Sequence, residues 1–381
     1  MRHNDMLALR GTVRARSAEE TWQAVAPFLT EFGITRVAKL TGLDCIGLPV
    51  WTAIRPSSRT LSGSQGKGAT DLLAKLSAVM EAIELWHVEQ PLPITTRGPA
   101  RDVAPNCPVS ALPLTIRYDE DVLTRVVLEW TTGTRLMNGE KVLLPVDLVR
   151  RRVQRPPWTP DLLRATTTGL ACGNTRDEAL LHALYEVVER DVLLRNAQSG
   201  GQRRTFIDPG TVDDTFGREV VERLADAGMA VELALVDGPY GLPVCVAYIW
   251  SEDLPTLFAG GGCHSDPGIA ATRALTEAAQ SRLAAIAGTR DDLPSTPASS
   301  VLPAFCPPQA ERLTDWAEAT ARFSRDLCGF ADQVDNIARQ ITEATGHEPT
   351  ALDLPSSAAP IHAVQVICPG TRSRVTRTMH R

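Results

Sequence analysis

The chain has 381 residues, 43% hydrophobic and 22% charged, which gives ample material for a large buried core and excludes a disordered or fibrous sequence. Its formal charge of −6 offers no basic field to nucleic acid phosphates, which argues against a DNA- or RNA-binding role. The eight cysteines are scattered, with no CxxC pair and no Cys/His cluster at zinc spacing, so disulfide-scaffold and zinc-site readings fall away.

Residues 1–20 lack the continuous apolar segment of a signal peptide, and no stretch reaches the roughly eighteen apolar residues that span a bilayer, so the expectation is a cytoplasmic chain with no membrane contact. Residues 18–32 read as a helix interrupted by Pro27. A β-prone segment, GLPVWTAI from Gly47, is followed by a glycine-rich turn, SGSQGKG from Ser62, and then a helix carrying Ala74, Ala78, Glu81 and Glu84. The same order returns twice. VLLPVDLV from Val142 precedes GLACGN from Gly169 and a helix with Ala179, Ala183, Glu186 and Glu189. GLPVCVAYIW from Gly241 precedes AGGGCHSDPG from Ala259 and a helix with Ala270, Ala274, Glu277 and Gln280. The segment 293–310 is a Pro/Ser-rich linker; a helix from Glu311 to Thr345, broken near Gly329, and short strands at 350–354 and 361–367 finish the chain.

The shared A-x3-A-x2-E-x2-E/Q spacing, each time after a Leu-Pro-Val segment, predicts an α+β protein of three duplicated strand, glycine loop and helix modules. The expected organisation is a core over 1–292, the linker at 293–310, and 311–381 completing the same domain. On a helix advancing 100° per residue, Ala74, Ser77, Glu81 and Glu84 fall within an arc of roughly 80°, opposite Leu72, Leu76, Val79 and Ile83. Ala179, His182, Glu186 and Glu189 repeat that face. For either helix alone this could be a solvated surface, although such surfaces usually interleave Glu with Lys or Arg. Two such faces brought together would place four carboxylates in one cleft, which calls for hard divalent cations.

Magnesium shares its coordination shell with phosphates, and Arg190 and Arg282 supply guanidinium donors for them, so the pattern points to a nucleotide–Mg site. No GxxxxGK[ST] loop or GxGxxG fingerprint is present; SGSQGKGAT at 62–70 only superficially looks phosphate-binding, which leaves a non-P-loop ATP site. A di-iron carboxylate site would need Glu-x-x-His on two helices, and only Glu84 with His87 fits.

SGSQGKGATDLLAKLSAVMEAIELWHVE, TTGLACGNTRDEALLHALYEVVERD and TRALTEAAQSRLAAIAGTRDD resemble the three ordered blocks of YcaO proteins. The resemblance covers about residues 11–292, with a family-like ending at VQVICPG. It implies a YcaO-type fold around an ATP/Mg cleft and an enzyme that phosphorylates the oxygen of a peptide backbone amide before a nucleophile adds and phosphate departs. Carried over, it implies Glu81, Glu84, Glu186 and Glu189 as magnesium ligands. It implies Ser77, Asn174 and Glu178 as nucleoside contacts, Arg190 and Arg282 as catalytic phosphate-binding arginines with Gln280 close by, and Arg14 and Thr21 closing over the triphosphate. Two positions depart from the family pattern: Thr168 stands where Asn is common, and Leu85 where Arg follows the first ExxE.

Members of the family differ in nucleophile. A Cys, Ser or Thr side chain gives an azoline, sulfide a thioamide, an amine an amidine. Azoline-forming members commonly end in Pro-x-Pro-x-Pro, whereas this sequence ends RVTRTMHR, and EAIELWHVE and AAQSRLAAIAGTRDDL are similar to YcaO proteins paired with TfuA. The resemblance therefore implies thioamide formation on a peptide or protein, with a TfuA-like partner and a sulfide source; a homodimer is compatible with it. The alternatives are an azoline-forming cyclodehydratase and a non-catalytic leader-peptide scaffold. Cys172 and Cys263, in the glycine segments, read as packed thiols rather than sulfur carriers.

Overall fold

The computed structural model describes residues 6–115, 118–150, 162–163, 165–288, 305, 308–325 and 327–373. Most of the expected linker at 293–310, and the last residues 374–381, lie outside the described residues. Strands β1 (Leu7–Leu9) and β2 (Thr12–Arg14) form a hairpin, and α1 (Ala18–Val25) starts at a capping box of Ser17 and Glu20. The Pro27 interruption is a change to 3₁₀ geometry at Ala26–Phe28. β3 (Arg36–Lys39), β4 (Val50–Ile54) and β5 (Gly63–Lys67) make a three-stranded sheet, followed by α2 (Asp71–Glu89). Next come β6 (Thr96–Pro99), α3 (Ala100–Val103), α4 (Glu120–Arg125), β7 (Val127–Arg135), β8 (Lys141–Pro145), β9 (Leu170–Gly173) and α5 (Arg176–Gln198). β10 (Arg204–Ile207), α6 (Thr215–Asp226), β11 (Ala230–Val236), β12 (Val244–Trp250), β13 (Phe258–Cys263) and α7 (Pro267–Ala287) form the third unit. α8 (Trp316–Thr320), α9 (Phe330–Thr345), β14 (Thr350–Asp353) and β15 (His362–Ile367) close the described chain.

Every pairing between these strands is antiparallel, which makes the architecture α+β. The glycine segments are strands and not the expected turns. They are glycine-rich because a helix backbone lies directly on them: a Cβ at Gly66 would sit 2.0 Å from Ala78 N, and one at Gly262 would sit 2.1 Å from Ala270 O. The repeated alanines are the helix half of that contact, and Ala74, Ala78, Ala179, Ala183, Ala270 and Ala274 are all fully buried. Each long helix then starts at a polar cap just past its strand, where Thr70, Thr175 or Asp266 accepts a first-turn N–H.

The second Leu-Pro-Val segment departs from the repeat. β4 and β12 pair with the glycine strands β5 and β13, but β8 pairs with β7, and β9 pairs with β15 from the far end of the chain. The six-stranded sheet runs β6-β7-β14-β15-β9, with β8 on β7. The expected helix from Glu311 forms only in part; its regular stretch begins after Gly329, which is the residue preceding α9. Among the described residues no helix is long and apolar enough to cross a membrane.

Helix α2 packs on β5 and touches β9, α5 packs on β9 and touches β13, and α7 packs on β13 and touches β5. The three modules thus close into a ring, and the acidic helix faces point toward one another inside it.

Candidate functional site

The ring brings the acidic residues of three helices together. Glu84 on α2 accepts a hydrogen bond from Cys172 N–H at 2.9 Å. Glu186 on α5 is ion-paired with Arg190, whose guanidinium also donates to Thr168 at 3.2 Å. Glu189 lies against β13, where a Cβ at Gly261 would come within 3.0 Å of its Oε1. Glu277 on α7 receives the ammonium of Lys67 at 3.0 Å. Glu81 is half-buried on the α2 face that also carries Glu84, and Ser77, one turn before it, is exposed.

The electrostatics show how crowded this charge is. Burial, with Glu186 and Glu81 adding repulsion, pushes the Glu84 carboxyl well above its usual range despite the Cys172 hydrogen bond. Burial and then Glu277 push Glu189 up to about 7. Burial likewise raises Glu186, against the pull of Arg190. Glu277 is the exception: burial opposes its charge, but Lys67 and then Arg273 and Arg190 hold it below the normal value.

A second group lies alongside. Asn174 N–H and its Nδ2 both donate to Glu178 at 3.1 Å, Ala15 N–H donates to Glu178 at 3.2 Å, and Thr21 Oγ1 donates to Asn174 Oδ1 at 3.0 Å. Arg14 stands 3.8 Å from Glu178 and donates to His182 Nε2. Burial, then Arg14, Arg273 and His264, drives His182 well below its ordinary value, and burial followed by Arg273 lowers His264 to about 3. Burial and the neighbouring arginines thus disfavour the charged form of both rings. Arg14, Thr21, Asn174 and Glu178, separate in the sequence, form one network, with Thr21, Asn174 and Glu178 buried and Arg14 partly exposed.

Arg282 does not join these groups. Its buried guanidinium is taken up by Asp44 at 3.1 Å, Ser251 at 2.7 Å and Asp253 at 2.6 Å, which makes it a brace between the loop before β4 and the turn after β12. Gln280 is half-buried on the helix between Glu277 and Arg282. Arg273 instead lies within the field of Glu186, Glu189 and Glu277, and its Nε is buried with no hydrogen-bond partner. The spacing of the repeats held this signal: Ser77, His182 and Arg273 each stand four residues before the first acid of their helix. The pairing of Lys67 with Glu277 has no signal in local spacing, because it joins the first module to the third. Leu85 is 2% exposed and belongs to the core, and Cys172 and Cys263 are buried with thiols pushed far up by burial, so neither is poised as a nucleophile.

Among the described residues no three His, Cys, Asp or Glu side chains gather into a ready-made metal cage. That suits magnesium, which takes one or two carboxylates and fills its remaining positions with water and phosphate. Crowded carboxylates whose charge is opposed by burial and by one another, beside a buried arginine N–H with no acceptor, fit a bound Mg²⁺–triphosphate.

A protein-family model described as YcaO cyclodehydratase, ATP- and Mg²⁺-binding, matches residues 65–372. An uncharacterized protein of Mycobacterium tuberculosis is 37% identical over 373 residues, covering 94% of this chain and 82% of its own length. A protein encoded in the tfuA 3′ region of Rhizobium leguminosarum bv. trifolii is 34% identical over 374 residues, covering 94% and 88%. In fold the chain is similar to the YcaO protein of Methanopyrus kandleri solved with AMPPCP and Mg²⁺, with a TM-score of 0.73 and 24% identity over 96% of this chain and 94% of that one.

Proposed function

The chain belongs to the YcaO family, which binds ATP and Mg²⁺, and from that membership we propose that it converts a peptide backbone amide into a thioamide. ATP supplies the phosphoryl group that makes the amide oxygen a leaving group, and Mg²⁺ offsets the triphosphate charge. Sulfide then adds at the amide carbon and the oxygen departs within phosphate, so sulfur replaces oxygen.

The observation that supports the ATP–Mg part is the crowding of Glu84, Glu186 and Glu189, with Glu81 beside them, where burial and mutual repulsion oppose negative charge that a cation would favour. In this reading those four carboxylates would share the bound Mg²⁺ ions, one or two to each. Arg14, Arg190 and Arg273 would bind phosphate oxygens, and Arg273 stands in for the Arg282 expected from the sequence. Ser77, Asn174 and Glu178 would hold the nucleoside, with Thr21 fixing Asn174 through its hydrogen bond. Gln280 would lie at the margin of the site. The protein's contribution is to position the amide against the phosphoryl group.

The relative encoded beside tfuA supports the sulfide branch and a TfuA-like partner. The family's description as a cyclodehydratase favours a second reading, in which a Cys, Ser or Thr of the peptide is the nucleophile and an azoline forms. One experiment separates them. With peptide, ATP, Mg²⁺, sulfide and a TfuA-like partner, thioamidation adds about 16 Da and ring closure removes about 18 Da. Sulfide-independent loss of water from the peptide would reject the thioamide and leave the azoline.

A further inference from the structure

The SGSQGKG segment binds nothing as a loop, because it is strand β5, and its lysine has a different use. Gly66 and Gly68 face α2, where a Cβ at Gly66 would strike the Ala78 backbone and one at Gly68 would lie 2.7 Å from Ala74 N. Side chains alternate along a strand, so Lys67 is directed to the other face of the sheet and reaches α7. The equivalent residues are fixed by spacing, since Lys67, Cys172 and Cys263 each stand seven residues before the first alanine of their helix. Each also meets an acid of the neighbouring module: Cys172 N–H bonds to Glu84, Cys263 lies in the field of Glu189, and Lys67 is paired with Glu277.

In two of the three equivalent places the strand offers that acid an uncharged residue, Cys172 or Cys263. In the third it offers an ammonium. We propose that Lys67 is the resident counter-cation of Glu277, a positioning residue with which a divalent ion must compete for that carboxylate. The residue type suits the task. The chain has only four lysines against 35 arginines, and the other cations around the cluster, Arg14, Arg190 and Arg273, are arginines. An arginine would clamp Glu277 through two N–H groups, whereas an ammonium is a single movable point charge. The Lys67 and Glu277 side chains keep 21% and 42% of their surface, so the pair is open enough to be exchanged.

This inference rests on the ATP–Mg reading above, and its test separates the two. Mn²⁺ alone is titrated into nucleotide-free protein at pH 8, with free Mn²⁺ followed by electron paramagnetic resonance and folding checked by thermal melting. Lys67→Met should tighten Mn²⁺ binding between about threefold and tenfold, and Lys67→Arg should weaken it. In a Glu277→Gln background Lys67→Met should change nothing, because the lysine acts through that carboxylate. If Lys67→Met does not fold, Lys67→Gln removes the charge while keeping a donor and must show the same gain. Unchanged Mn²⁺ affinity in the folded variant, or an equal gain with Glu277→Gln present, overturns the role of Lys67. Wild-type protein that binds Mg²⁺·AMPPCP no better than AMPPCP in chelator overturns the underlying ATP–Mg reading instead.

Discussion

Arg273 and Arg282 stand nine residues apart on one helix in contrasting surroundings, and their substitution should separate binding from stability. Arg273 has a buried donor without an acceptor beside three glutamates, so Arg273→Met should weaken Mg²⁺·AMPPCP binding by about tenfold or more and leave the melting temperature nearly unchanged. Arg282 is fully engaged by Asp44, Asp253 and Ser251; Arg282→Met strands a buried carboxylate and should cost about 3 kcal/mol of stability, with nucleotide affinity kept. Calorimetry and urea unfolding on the two variants decide the matter, and the reverse pattern would restore Arg282 to the site. Glu189 yields a pH prediction. It keeps its proton up to about 7 when folded against 4.5 as the ordinary value, so the folded state holds more protons in that window and stability falls as pH rises through it. His87, lowered by burial to about 4, and His264, lowered to about 3, act in the opposite sense and cost stability as pH drops below 6.5. Glu189→Gln removes only the first effect. Its stability relative to wild type should climb from pH 5 to pH 7 and then level off in metal-free urea titrations; a difference independent of pH would mean that Glu189 is ionised throughout.

At the level of elements, the contact between glycine strand and alanine helix decides what each repeat is. Glycine-rich runs read as turns in a sequence, because the residue's freedom is most often spent there. Here it is spent on proximity, and the alanine spacing downstream was the visible sign of the partner helix, although the strand itself was not read. Gly260→Ala would place a Cβ 2.2 Å from Ala274 O and 2.4 Å from Ala278 N, both backbone atoms. The substitution should cost at least about 3 kcal/mol, and trimming Ala274 to Gly cannot relieve it, because the obstacle is not a side chain. Gly139→Ala, where nothing lies within 4 Å but φ is +72°, should cost only about 1 kcal/mol in the same urea measurement. Equal losses at the two positions would show that backbone strain, and not helix approach, explains the glycines. The second module was legible only in part for a related reason: local spacing gives β9 and α5 their shape, but the strand that completes them, β15, arrives from nearly two hundred residues downstream. No periodicity near residue 170 encodes that pairing.

For the whole molecule, the ring of modules ties the site to the fold. The helix spacing was enough to put Glu81 with Glu84, and Glu186 with Glu189, on one face of their own helix, since each pair lies within its own repeat. Contacts made across the ring, Lys67 with Glu277 and Glu84 with Cys172, depend on which module neighbours which, and no window of sequence records that order. Because each acidic helix rests on its own strand and touches the next, a ligand that draws the carboxylates together must tighten all three junctions at once. Binding to the folded state alone also stabilises it by mass action. Mg²⁺·AMPPCP should therefore slow hydrogen exchange together in β5, β9 and β13, and AMPPCP with chelator in place of metal should leave them near the ligand-free rate. Protection confined to β9 and the start of α5, around Asn174 and Glu178, would mean that the nucleotide is held by one module and that the carboxylates of α2 do not share in its metal.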